Sequence, residues 1–154
     1  MIDHFIGRSI QNRRYNLVKK VLFICMGNTC RSQMAKGFFN TFTSSECADS
    51  AGIKPESQID PHTIQVMDEV GINVRSFIPK KLTVEMNNNF DIFVMMAHCT
   101  DRLSISREKT FTWSIEDPKG KSLDDYRIVR DKIKNHVETL LASMKKKQKE
   151  YDCG

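Results

Sequence analysis

The stretch Val21-Leu-Phe-Ile-Cys25-Met-Gly-Asn-Thr-Cys30-Arg31-Ser32-Gln-Met34 decides how this chain folds. The unbroken apolar succession from Val21 to Cys25 has the length and pattern of a strand buried on both faces of a parallel sheet. It stops abruptly at Met26-Gly-Asn-Thr-Cys30. From Arg31-Ser32 onward, Met34, Ala35, Phe38, Phe39 and Phe42 recur at helical spacing, with Gly37 as the one weak point. The first unit is therefore strand, polar loop, helix.

Working outward, a second strand is expected over Glu46 to Ala51, ended by Gly52. Pro61 suits a helix start, Ile64, Met67 and Val70 line one face, and Gly71 suits the helix end. Asp91 to Ala97 is the second strongly apolar run, and Thr110 to Ile115 is a β-prone segment. A long helix follows from about Leu123, burying Ile128, Val129, Ile133, Val137, Leu140, Leu141 and Met144. Alternation of helices with apolar strands predicts an α/β, flavodoxin-like three-layer fold: a four-stranded parallel sheet with helices on both faces.

The chain has 154 residues, the size of one compact domain, with 40% hydrophobic and 28% charged residues, which excludes collagen-like and wholly disordered classes. The organisation predicted is a basic N-terminal extension over 1–18, a catalytic domain over 19–144 and a lysine-rich tail over 145–154. No apolar run approaches the ~20 residues of a membrane-spanning helix, and no secretory signal is legible, so a cytoplasmic protein without membrane partners is expected. The net charge of +5 is carried mostly by the two ends, +2 each, leaving the body near neutral. A nucleic-acid-binding face needs clustered basic residues on a folded surface, so no nucleic-acid partner is expected. Five cysteines, Cys25, Cys30, Cys47, Cys99 and Cys153, are odd in number and too sparse for a disulfide scaffold, which fits a reducing compartment. Their spacing carries no strong zinc signature, so neither metal nor cofactor is predicted.

In parallel sheets, ligands bind beyond the carboxyl ends of the strands, where Met26, Gly27, Asn28, Thr29, Cys30 and Arg31 lie. A loop entering a helix N-terminus turns backbone N–H groups inward and adds the positive end of the helix dipole, a cradle for a tetrahedral dianion. Gly27 and Asn28 best tolerate the positive φ that such a loop needs. Arg31 adds two parallel charge-assisted hydrogen bonds to oxyanion oxygens. The same field favours the thiolate of Cys25, a nucleophile at the floor of the cradle, and the Ser32 hydroxyl can hold that sulfur as an anion.

Cys25, five intervening residues and Arg31-Ser32, followed by Gln33-Met-Ala35, resemble the active-site signature of the low-molecular-weight protein tyrosine phosphatase superfamily, which includes the thioredoxin-coupled arsenate reductases. The resemblance covers roughly residues 20 to 142. It also implies a role for Asp117 in Glu116-Asp-Pro118, where the family places a mobile catalytic aspartate that protonates the leaving group and then activates water. Phosphatases of this family usually follow Asp-Pro with aromatic residues that wall a phosphotyrosine slot; here Lys119 and Gly120 stand there. Trp113 to Lys121, Asp125 to Ile133 and Ser50-Ala-Gly-Ile53 instead resemble the arsenate reductases.

In those reductases a thiolate attacks arsenate and a second cysteine then attacks the first, and Cys99 matches that second cysteine. Cys30 is the other candidate, since phosphatases with this loop close a disulfide between its two cysteines. Three features depart from the reductase pattern. Ser104 and Ser106 occupy the region of a third cysteine, Lys36 replaces an acidic residue that helps hold potassium in some reductases, and Phe77 replaces a histidine. The reading favours a thiol-coupled arsenate reductase, with a phosphatase hydrolysing aryl or protein phosphate monoesters through a phosphocysteine as the alternative. The implied partners are arsenate or a phosphate monoester and, for a reductase, a thioredoxin-like or low-molecular-weight thiol.

Overall fold

A computed structural model describes residues 19–44, 47–97 and 105–152, with side chains to residue 147. The chain runs β1 (Val21–Cys25), α1 (Arg31–Thr43), β2 (Ala48–Gly52), α2 (Pro61–Asp68), α3 (Met86–Asn89), β3 (Ile92–Met95), a 3-10 turn (Arg107–Lys109), β4 (Thr110–Thr112) and α4 (Leu123–Asp152). The four strands form one parallel sheet in the order β2-β1-β3-β4, the expected flavodoxin-like arrangement. Placing β1 between β2 and β3 reverses the strand order there, so the loop after β1 opens at the sheet's switch point.

The continuous apolar run of β1 is explained by burial on both sides. Val21, Phe23 and Cys25 face the larger core with Met34, Phe38 and Phe39 of α1, Val66 and Met67 of α2, and Tyr126, Val129, Ile133 and Val137 of α4. Leu22 and Ile24 face the other side with Ala51 and Phe93, covered by Leu82, Met86 and Phe90. The long helices thus gather on one face, and the four-residue α3 with its flanking loops covers the second.

Several sequence expectations need correction. Phe42, Val70 and Ile128 are exposed at the ends or outer edges of their helical stripes. Gly37 is not a weak point, because a Cβ there would meet Ile72, Met67 and Val74 at 3.2–3.3 Å; its bareness lets α1 approach that cluster. Helix α4 continues past Met144 to Asp152, since Lys, Gln and Glu are good helix formers and no Pro or Gly intervenes. Strands β3 and β4 are shorter than read: Ala97 and Ile115 are buried but carry no ladder pairing. The N-terminal extension, Cys99 and Cys153 lie outside the described residues. Among the described residues, no helix is long and apolar enough to cross a membrane.

Candidate active site

The loop from Met26 to Cys30 is fixed from outside by its own carbonyls. Those of Met26, Gly27 and Thr29 accept the N–H groups of Lys54, Glu56 and Asp60 at 2.9, 3.0 and 3.3 Å. The peptides of this loop are trans, so the N–H groups of Gly27, Asn28 and Cys30 point away from those three partners. The left-handed turn is made by Asn28 alone, at φ 56°, whereas Gly27 keeps a negative φ. Asn28 can hold that conformation because its side chain is bonded at both ends. Its Oδ1 accepts the N–H of Lys80 at 2.9 Å, and its Nδ2 donates to Ser32 Oγ at 2.7 Å.

This arrangement fixes the direction of the next hydrogen bond. Because Ser32 Oγ accepts from Asn28, its own hydrogen is free to donate to Cys25 Sγ, 2.9 Å away. Gln33 Nε2 holds the Asn28 carbonyl at 2.8 Å, and Ser50 Oγ holds Gln33 Oε1 at 3.0 Å. Asn28, Ser32, Gln33 and Ser50 are all buried. Gly52 ends β2 against this loop, where a Cβ would lie 2.9 Å from Asn28 Cβ and from the Met26 carbonyl oxygen.

Arg31 is buried, and its Nη1 donates to the carbonyls of Met96 at 2.5 Å and Ile115 at 3.0 Å, just beyond β3 and β4. With Nη1 committed to the scaffold, Nε and Nη2 remain as a parallel fork for an oxyanion. Nη2 lies 3.6 Å from Asp117 Oδ2, and the Asp117 side chain is about half exposed. Sequence separates these residues widely, and the strand ends bring them to one place. Cys25, Arg31 and Asp117 line a cleft of 260 Å³ together with Met26, Gly27, Thr29, Cys30, Lys54, Glu56 and Lys119. Glu56 and Lys119 form an ion pair.

Cys30, at the N-cap of α1, is buried and donates from Sγ to Asp60 Oδ2 at 3.4 Å. Burial pushes its thiol up to about 12, and the neighbouring Asp60 carboxylate adds to the rise. The same Asp60 oxygen accepts the Tyr126 hydroxyl from α4, while Asp60 Oδ1 caps α2 through the His62 N–H at 2.8 Å. Asp60, Tyr126, Gln33 and Lys80 were not legible as site-supporting residues. A polar Gln33 on a buried helix face and an Asp before Pro61 are the signals that point to two of them; Tyr126 and Lys80 are placed by tertiary packing.

The model of the family described as low molecular weight phosphotyrosine protein phosphatase matches residues 20–150. A glutaredoxin arsenate reductase of Synechocystis sp. is 33% identical over 130 residues, covering 82% of this chain and 99% of that protein. Among solved structures, an arsenate reductase in the phosphate binding state has a TM-score of 0.72 at 34% identity, covering 82% of this chain and 98% of its own. An arginine phosphatase from Geobacillus stearothermophilus has a TM-score of 0.77 at 27% identity, covering 86% and 96%. The match spans the sheet, the loop and the aspartate together, and the chain belongs to the low molecular weight phosphotyrosine protein phosphatase family.

Proposed function

We propose that the chain is a thiol-coupled arsenate reductase acting in the cytoplasm. The observation that carries this reading is the cleft wall: Lys54, Glu56 and Lys119 flank the opening, and no aromatic side chain lines it among the described residues. An aryl phosphate needs apolar or aromatic surface against its ring. A small inorganic oxyanion needs only donors and charge, which the loop N–H groups and Arg31 supply.

In the first step the Cys25 thiolate attacks arsenic, forming an S–As bond while an arsenate oxygen, protonated, leaves as water. The loop N–H groups and the Nε–Nη2 side of Arg31 hold the remaining oxygens. A second thiolate then attacks Cys25 Sγ. The S–As bonding pair leaves with arsenic as arsenite, so As(V) gains two electrons and two thiols become one disulfide. An external thiol reduces that disulfide, and the name of the Synechocystis relative points to a glutaredoxin-type donor. For the second thiol, Cys30 is the weaker candidate because burial keeps it protonated and bonded to Asp60. Cys99 is the candidate that remains, two residues beyond the last described residue of that segment, Ala97.

The second reading is phosphate monoester hydrolysis. It is favoured by Asp117, exposed beside Arg31, where a carboxylic acid can protonate a leaving group. Paired steady-state assays separate the two: arsenate with glutaredoxin or a small thiol against an aryl phosphate. The reductase reading expects the higher kcat/KM for arsenate, and a higher value for the ester would reverse the order.

A further inference from the structure

Family resemblance makes position 36 one where some reductases use an acidic residue to help hold potassium. In this chain Lys36 Nζ lies 3.3 Å from Asp49 Oδ1 and 4.1 Å from the centre of the Phe77 ring. The Lys80 ammonium pairs with Asp49 Oδ2. Both Asp49 oxygens are thus met by lysine ammoniums, and no cluster of three or more His, Cys, Asp or Glu able to hold a metal exists among the described residues. The donor set does not fit a bound cation.

Asp49 also stands at the root of two hydrogen-bonded routes that converge on Asn28. Along the first, Asp49 pairs with Lys80. The Lys80 carbonyl accepts the Gly52 N–H at 2.8 Å, and the Lys80 N–H reaches Asn28 Oδ1 at 2.9 Å. Along the second, Asp49 Oδ1 accepts the Ser50 N–H at 2.8 Å, the Ser50 hydroxyl holds Gln33, and Gln33 holds the Asn28 carbonyl. Burial pushes the Asp49 carboxyl up, but the Lys80 hydrogen bond, the Ser50 N–H and the two ammoniums outweigh it and hold the group below its ordinary value. Half-buried and bonded on both oxygens, this network is better placed than an isolated surface ion pair to hold geometry.

We propose that Asp49, clamped between Lys36 and Lys80, is a positioning residue that holds Asn28, and through Ser32 the Cys25 nucleophile, in place, so that lysine ammoniums stand where a bound cation would otherwise serve. The inference rests on Cys25 being the nucleophile but not on arsenate being the substrate.

The readout is the pH dependence of Cys25 alkylation by iodoacetamide, followed by mass spectrometry of the peptide that carries it, which needs no substrate. The charged and titratable groups lining the Cys25 cleft are Arg31, Asp117, Cys30, Lys54, Glu56 and Lys119, and all stay unchanged in the variants. In Asp49→Asn the two mechanisms predict opposite signs. Loss of a negative charge, acting only through the field, leaves two ammoniums uncompensated and lowers the midpoint. Loss of the brace loosens Asn28 and the Ser32 donor and raises it, by about one pH unit. Asp49→Glu is expected to restore part of the shift.

Lys80→Met, which keeps the backbone N–H, serves as a second variant should Asp49→Asn not fold, and its midpoint is also expected to rise. An unchanged or lowered midpoint in folded Asp49→Asn, or an unchanged one in folded Lys80→Met, overturns the proposal. Exchange of potassium for choline at constant ionic strength is expected to leave wild-type melting and alkylation unaltered; stabilisation specific to potassium would refute the replacement of the cation. A wild-type Cys25 that is not alkylated ahead of an ordinary thiol would instead undermine the nucleophile assignment itself.

Discussion

Arg31 meets Asp117 at the mouth of the cleft, Nη2 to Oδ2 at 3.6 Å, while its Nη1 is committed to the carbonyls of Met96 and Ile115. One side of the guanidinium is therefore held by the scaffold, and the other faces Asp117. Arg31→Lys keeps the charge but cannot reach both carbonyls and also present a planar fork. Turnover is expected to fall by about 10²–10³-fold, in line with losing a preorganised oxyanion donor. A near-normal rate in steady-state assays would mean that the anion binds elsewhere.

Cys25→Ser removes the thiol proposed as nucleophile while leaving the loop N–H groups and Arg31 intact. We expect turnover to drop by about 10⁴-fold or more, with phosphate or arsenate binding, measured by calorimetry, retained.

Asp117 separates the two chemistries. For aryl phosphates, Asp117→Asn is expected to slow esters with poor leaving groups by about 10²-fold and those with good leaving groups much less, because only the former need the proton. A series of substituted phenyl phosphates measures this, and a uniform effect would argue against a general acid. Arsenate reduction is expected to lose less, since its second step depends on thiols.

Cys30 makes stability depend on pH in a stated direction. Its folded-state value, pushed up to about 12, exceeds the ordinary thiol value of 9.0. The proton is therefore bound more tightly in the folded chain. The contribution is present in full below 9.0 and is lost as pH rises from there toward about 12. Thermal melts of the wild type and Cys30→Ser are expected to differ in slope above that value, the wild type falling more steeply; parallel curves would contradict the assignment.

Tyr126→Phe deletes the hydroxyl that α4 gives to Asp60, in a residue buried at 1% exposure. A buried hydrogen bond to a charged group is worth about 2 kcal/mol, and denaturant unfolding is expected to show a loss of that order.

How far the sequence reached follows from which interactions are local. The strand-loop-helix unit was legible because β1 is buried on both faces and therefore reads as an unbroken apolar run, and because the loop residues and Arg31-Ser32 lie within a few positions of it. The reading of Asp117 rests on family likeness, since its place beside Arg31 depends on β4 and on Ile115 docking against Arg31. Two supports of Asn28 lie far from it in sequence: Ser50 is on β2, and Lys80 is on an irregular segment that docks on the end of β2 through the bridge between Gly52 and Lys81 and the ion pair with Asp49. No local pattern encodes that docking. Helical stripes overstated the core at Phe42, Val70 and Ile128, because periodicity marks a face but not where the opposing surface ends.

The most direct test of the central claim is peptide mapping of the protein after arsenate treatment without reductant. Arsenate reduction by Cys25 predicts that this residue is recovered in a disulfide, with Cys99 as the expected partner, alongside one equivalent of arsenite. Recovery of Cys25 as a free thiol, with no arsenite formed, would contradict the claim.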